Sequence, residues 1–219
     1  MKTAVVIPAR LDSSRFPNKM LCDVGGQTLI RRVYEQCLKT GFDVYVATDS
    51  KEIANQVDNA IFAYDCENGT ARIAEAYKQM PHYDCIINVQ GDMVIVPVDD
   101  VRKLPELLDM HDVATLKHPM PAEQQHDPNT VKVISSNGEA HWFCRAPLNY
   151  GDWHYGIYAY RTPVLKCYRS LTVHPEESIE SLEQLRWIQN GYTIGIADAG
   201  YAAEINTPHD LKTILANGR

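Results

Sequence analysis

Two arginines, a lysine and two serine hydroxyls crowd into the stretch Ile7-Pro8-Ala9-Arg10-Leu11-Asp12-Ser13-Ser14-Arg15-Phe16-Pro17-Asn18-Lys19. Such a loop at the end of a short β-branched run, with its own backbone N–H groups, suits a polyanion, and a triphosphate fits. Composition alone also allows a solvated basic loop. The order Gly-x-x-x-x-Gly-Lys-Ser/Thr of a Walker motif is absent. Further along, Asn88-Val89-Gln90-Gly91-Asp92 closes an apolar run and presents one carboxylate at a turn. Asp92 is therefore the first-choice ligand for Mg2+, which usually binds through one or two carboxylates together with phosphate oxygens and waters. The blander alternative is an Asp that accepts bonds from its own turn. No nucleophile elbow around a Ser or Cys appears, which agrees with direct displacement rather than a covalent intermediate.

These residues need elements to hold them. Residues 3–7 read as a strand, followed by the basic loop and by helical spacing over 29–38. The same order recurs: a strand at 43–48, a helix capped by Ser50, a strand at 60–63, a helix at 70–80 and a strand at 85–89. Apolar runs without alternation suit strands covered on both faces, so the first half is expected to be a mostly parallel, Rossmann-like sheet with helices on both sides. Beyond about residue 112 the pattern changes to hairpin punctuation, with strands at 130–134 and 140–143 around Ser136-Asn137-Gly138. A strand at 156–160, a helix at 178–189, a strand at 192–197 and a closing helix at 208–216 capped by Thr207 follow. The expectation is an α/β fold in one domain, 1–219, with a nucleotide-binding half at 1–112 and a smaller antiparallel lobe plus closing helix at 113–219.

The chain of 219 residues has 45% hydrophobic and 22% charged residues and a formal charge of −7. That balance argues against nucleic acid as the main partner, since phosphate-backbone affinity rests on clustered Lys and Arg. Six cysteines lie far apart without metal-type spacing and read as reduced, mostly buried thiols. No apolar segment reaches membrane-spanning length and none resembles a signal peptide, so cytoplasm is the expectation.

In the order of its motifs the chain resembles the sugar-acid cytidylyltransferases, specifically the branch that activates Kdo (3-deoxy-manno-octulosonate). The resemblance rests on the basic loop, on Asn68-Gly69-Thr70-Ala71-Arg72 and on Gln90-Gly91-Asp92. It continues through Asp127-Pro128-Asn129-Thr130-Val131-Lys132-Val133, Phe143-Cys144-Arg145-Ala146-Pro147, His154-Tyr155-Gly156 and Ile179-Glu180-Ser181-Leu182-Glu183-Gln184, and so spans nearly the whole chain. What it implies is a nucleotidyltransferase-type fold, CTP and a sugar acid as substrates, Mg2+ as cofactor, and a homodimer serving lipopolysaccharide biosynthesis. Pro8, Ala9, Arg10, Ser13, Ser14 and Lys19 would hold the nucleotide, with Arg10, Arg15, Lys19 and Asp92 carrying the chemistry. Gly69, Thr70 and Arg72 would lie against cytidine, although Asn68-Gly69 is equally a plain helix start. Gln90 offers the donor and acceptor a cytosine edge requires.

For the sugar acid, the planar fork of Arg145 suits a carboxylate, and His154 is a donor able to meet a carboxylate or a hydroxyl. On a helix at 178–189, Ile179, Leu182, Leu185 and Ile188 would form the core stripe, leaving Glu180 and Gln184 together at i, i+4 to reach one ligand. A solvated Glu/Gln face is the commoner meaning of that pattern. Three departures from the family stand out: Met93-Val94 follows Asp92 where Glu-Pro is usual, Asn206 stands where an Asp is usual, and the connection at 149–153 is short. If residues 201–206 run extended, Glu204 projects on the side of Asn206 and brings a carboxylate toward a metal on Asp92. The alternatives are a cytidylyltransferase for another acid, such as a nonulosonate, or a weakened binder of nucleotide sugars.

Overall fold

The computed structural model of the chain describes residues 1–13 and 16–216, so the expectations for Ser14 and Arg15 lie outside the described residues. The chain divides into two compact units. The first comprises Thr3–His82, Asn88–Val98 and the chain from Tyr201; the second comprises Met1–Lys2, Tyr83–Ile87 and Asp99–Gly200. The sequence placed the change near residue 112 and the closing helix in the second half, whereas that helix belongs to the first unit. Main-chain bonds explain this: Ile95 and Ala203 form an antiparallel bridge, and the Ile205 N–H donates to the Asp92 carbonyl at 2.9 Å.

In the first unit, β1 (Thr3–Ala9), β2 (Asp43–Thr48) and β3 (Ala60–Phe62) run parallel in the order β3-β2-β1. Every residue of β1 is buried. Since successive side chains alternate faces, both faces of β1 are covered, which is why its sequence is apolar from Ala4 to Ala9. The helices begin where side chains can satisfy their first N–H groups. Thr28 caps Leu29–Leu38, Ser50 caps the single turn Lys51–Ala54, and Asn68 Oδ1 accepts from the Ala71 N–H at 2.8 Å to start Gly69–Tyr77. The closing helix Pro208–Ala216 starts at Thr207 as expected, and Asp210 Oδ2 accepts from the N–H groups of Asn206 and Thr207.

In the second unit, β4 (Cys85–Asn88), β5 (Val113–His118), β6 (Lys132–Ser136), β7 (Glu139–Cys144), β8 (Asp152–Arg161) and β9 (Ile194–Asp198) lie in the order β4-β8-β5-β9-β7-β6, and β6 pairs again with β8. The β6–β7 hairpin turns on Asn137 at φ 54° and Gly138 at φ 77°, the two left-handed residues a tight right-twisted hairpin requires. β8 starts at Asp152, before the expected residue 156, because Asp152 and Trp153 pair with Val133 and Lys132 of β6. The expected helix at 178–189 is broken. Pro175–Glu180 ends at Ser181, which adopts φ 54°, and a separate helix runs Leu185–Gln189. Ile179 is 79% exposed while Leu182 and Leu185 are buried, so the apolar stripe is not continuous. A buried bidentate pair holds the two pieces, with Arg186 Nε and Nη2 donating to Glu177 at 2.9 and 2.6 Å. Among the described residues no helix is long and apolar enough to cross a membrane.

Candidate functional site

In the first unit the chain leaves β1 at Ala9 and enters the basic loop. Pro8 and Ala9 are buried, Arg10 is exposed and Ser13 is half-buried. Lys19 opens a 3-10 turn, is itself buried, and places Nζ 2.6 Å from Asp92 Oδ2. The turn carrying Asp92 packs closely here, since a Cβ on Gly91 would stand 3.0 Å from Met20 Sδ and 3.1 Å from the Pro8 carbonyl oxygen. Gln90 is half-exposed, and its carbonyl accepts from the Met93 N–H. Pro8, Lys19, Gly91 and Asp92, far apart in sequence, thus converge. Gln36, which the sequence reading passed over, braces the same turn: its amide donates to the Val94 carbonyl at 2.9 Å and accepts from the Val96 N–H at 3.0 Å.

Beside the loop lies an open pocket of about 580 Å³, lined by Arg10, Asp12, Asp49, Tyr64 and Arg72 among others. Arg72 is buried; one nitrogen donates to the Ala63 carbonyl and another to Asp49 Oδ2 at 2.8 Å. Side-chain exposure is 7% for Arg72 and 35% for Asp49, so the guanidinium acts as a brace and the carboxylate faces outward. Gly69 and Thr70 form the first turn of the helix behind it, Thr70 buried and Gly69 half-buried. Asp49 was missed because a single Asp after a strand carries no spacing signal.

The segment 203–206 runs alongside the Asp92 turn through the Ile205–Asp92 main-chain bond. As strand alternation anticipates, Ile205 is buried while Glu204 and Asn206 share the other side, the Asn206 amide donating to Glu204 Oε2 at 3.4 Å. No cluster of three or more His, Cys, Asp or Glu side chains exists among the described residues. Asp92, Glu204 and the Asn206 amide oxygen are each oxygen donors of the kind a hard cation takes alongside phosphate and water. Position 93 is a Met and offers no carboxylate, and both Met93 and Val94 are fully buried.

In the second unit Arg145 follows β7 and meets Glu180. The Arg145 N–H donates to Glu180 Oε2 at 2.7 Å, Nε donates to the Glu180 carbonyl at 3.0 Å, and Nη1 donates to the Asn129 carbonyl at 3.0 Å. Much of the expected fork is therefore engaged with main-chain carbonyls. His154 is buried on β8, with Nε2 3.0 Å from Thr115 Oγ1, and its ring packs edge-on to Phe143 at 4.7 Å. The Thr115 hydroxyl also lies 2.7 Å from the Ile157 carbonyl and 3.3 Å from the Tyr155 carbonyl, so it can give its proton to either and accept from Nε2–H. Burial, assisted by the charge of Arg145, pushes the His154 pKa down to about 3. The imidazole is therefore neutral, with Nε2 engaged by Thr115 within the protein. Gln184 is buried ahead of the helix Leu185–Gln189, beyond left-handed Ser181, and shares no helical face with Glu180. The helix break thus removes the expected i, i+4 pairing.

A parallel strand-end loop carrying Lys19 against a carboxylate turn, on this mixed α/β scaffold, defines a protein of the nucleotidyltransferase type. The cytidylyltransferase family profile matches residues 4–194. A 3-deoxy-manno-octulosonate cytidylyltransferase of Francisella tularensis subsp. holarctica is 38% identical over 239 residues, with 96% of each chain covered. One from Neisseria gonorrhoeae is 37% identical over 243 residues, covering 97% of this chain and 96% of its own. A solved CMP:2-keto-3-deoxy-manno-octonic acid synthetase complexed with CTP superposes with a TM-score of 0.92 at 35% identity, covering 100% of this chain and 98% of the other. The chain belongs to the cytidylyltransferase family, in its 3-deoxy-manno-octulosonate branch.

Proposed function

We propose that the chain transfers CMP from CTP to the anomeric hydroxyl of Kdo, releasing pyrophosphate, with Mg2+ bound at Asp92. The observation that carries this reading is the full-length likeness to enzymes named for that sugar, including one solved with CTP. In the reaction the anomeric oxygen attacks the α-phosphorus, a new P–O bond forms, the α–β bridge breaks toward pyrophosphate, and the hydroxyl proton is released. Arg10, Ser13 and Lys19 bind the triphosphate, joined by Ser14 and Arg15. The Lys19 ammonium, now on Asp92, turns to the phosphates and exposes that carboxylate. Mg2+ held by Asp92, with Glu204 and Asn206 nearby, would supply charge neutralisation on the phosphates. Gly69, Thr70, Gln90 and the Arg72–Asp49 pair form the nucleoside site, with Asp49 as acceptor. Arg145, Glu180, Gln184 and His154 line the sugar-acid site, where unprotonated His154 Nδ1 accepts from a hydroxyl. No protein nucleophile takes part.

The protein works as a cytoplasmic homodimer in this proposal, and light scattering on the purified chain tests the dimer. Pyrophosphate release from CTP with a panel of eight- and nine-carbon sugar acids, with and without Mg2+, tests the reaction. Turnover with Kdo that is lost on chelation is expected; nucleotide binding without turnover on any acid would reduce the protein to a binder. Asp49→Asn should weaken CTP binding by about 1 kcal/mol or more, the loss expected for a charge-assisted acceptor.

A further inference from the structure

The first residue of β6, Lys132, has no exposed surface, and its ammonium donates three hydrogen bonds, all to main-chain carbonyls: Asp127 at 2.8 Å, Thr130 at 3.0 Å and Arg145 at 3.2 Å. It forms no ion pair among the described residues. Burying an ammonium without a counter-charge is unfavourable, and an apolar side chain would fill the same volume at lower cost. What the ammonium does that a methyl cannot is gather carbonyl oxygens, which repel one another unless a cation or donor lies between them.

The identity of those carbonyls gives the lysine its meaning. Two belong to the turn at 127–130, and the third belongs to Arg145 itself. The same turn receives the Arg145 guanidinium at the Asn129 carbonyl, while the Arg145 N–H holds the Glu180 carboxylate. Lys132 also lies between the other two strands of the site. It is in register with Cys144 of β7, one residue before Arg145, and with Trp153 of β8, one residue before His154. The Val131 carbonyl, just before it, accepts from the His154 N–H at 2.9 Å. Arg145, Glu180 and His154 are thus referred to one buried cation.

We infer that Lys132 is the positioning residue of the sugar-acid site, its ammonium fixing the turn at 127–130 and the Arg145 main chain so that Arg145 and Glu180 face the substrate in one geometry. The inference rests on the proposed assignment of that site. Lys132→Met keeps the length and removes the charge. It should raise the KM for sugar acid about tenfold or more, a scale set by sub-ångström misplacement of binding groups, while CTP affinity, a property of the other unit, stays within twofold. In Lys132→Ala, added n-propylammonium should restore the low KM, whereas n-propanol of the same shape should not.

A surface substitution covers the case in which these variants do not fold. Asp127 Oδ1 accepts from the Asn129 N–H at 2.8 Å and so shapes the same turn, and Asp127→Ala should raise the sugar KM in the same direction. Arg145→Ala is the control. If it raises the sugar KM while a folded Lys132→Met, or Asp127→Ala where the former does not fold, leaves KM unchanged, the positioning role is overturned and the site assignment stands. If Arg145→Ala leaves the sugar KM unchanged, the site assignment fails first.

Discussion

At the scale of single residues, the first unit was the more legible. Lys19 and Asp92 could be named from sequence because each lies in the segment that follows a strand, where ligand-binding loops gather, and they meet at 2.6 Å. His154 could be found but not understood, since its state is set by Thr115 on another strand and by burial, neither of which its neighbours in sequence reveal. That state has a measurable consequence. An imidazole whose pKa falls from 6.5 to about 3 on folding is more protonated in the unfolded chain between those values. Its contribution is therefore fully present above about pH 6.5 and is lost as pH falls toward 3, at up to about 1.4 kcal/mol per unit. His154→Gln keeps a donor for Thr115 but does not titrate. Urea unfolding between pH 7 and 4.5 should give a shallower acid slope for the variant than for the wild type; parallel slopes would show that His154 is charged or solvated.

Among elements, strands and caps were legible wherever the signal is local. Asn68, Ser50 and Thr207 each begin a helix as their side chains allow, and Asn137-Gly138 makes the hairpin. The break at Ser181 was not legible. Helical spacing of Ile179, Leu182 and Leu185 continues through it, and the opposing cause, the Glu177–Arg186 pair drawing the two pieces together, depends on contacts across nine positions. The Gln90-Gly91-Asp92 turn offers the sharper test of how an element sets a site. With 3.0 Å to Met20 Sδ and 3.1 Å to the Pro8 carbonyl, Gly91→Ala must push the turn away from β1. Displacement of a carboxylate by even part of an ångström suffices for a loss of about tenfold or more in kcat. Steady-state kinetics at saturating CTP should show that loss with the melting temperature little changed; full activity would mean that Asp92 tolerates movement and lies outside the reacting centre.

For the whole molecule, the main surprise is how the chain is distributed between units. A sequence read from left to right suggests two consecutive halves, whereas the structure returns the last segment to the first unit by pairing it with residues 92–95. Propensity along the chain carries no record of such a return, because an extended segment and its partner are more than a hundred residues apart. Ile205 is fully buried and Ile214 nearly so, so the returning segment completes a core and runs beside the Asp92 main chain. A chain ending at Gly200 should therefore lose CTP-dependent thermal stabilisation and show early exchange of amide hydrogens in β1 and β2. Retained nucleotide stabilisation in that truncation would separate the segment from the site.

The buried pair Met93 and Val94 also constrains what substitution could achieve. Converting Asn206 to Asp changes a half-exposed side chain and adds a carboxylate that solvent can reach. Converting Met93 to Glu would instead drive an ionisable group into a position with no exposed surface, at a cost of several kcal/mol or with the carboxyl held neutral. Of the two changes, only the one at 206 leaves the packing of the core untouched. If Mg2+ binds at Asp92 as proposed, a selection for tighter metal use should recover substitutions at 206 and leave 93 untouched unless its packing neighbours change first.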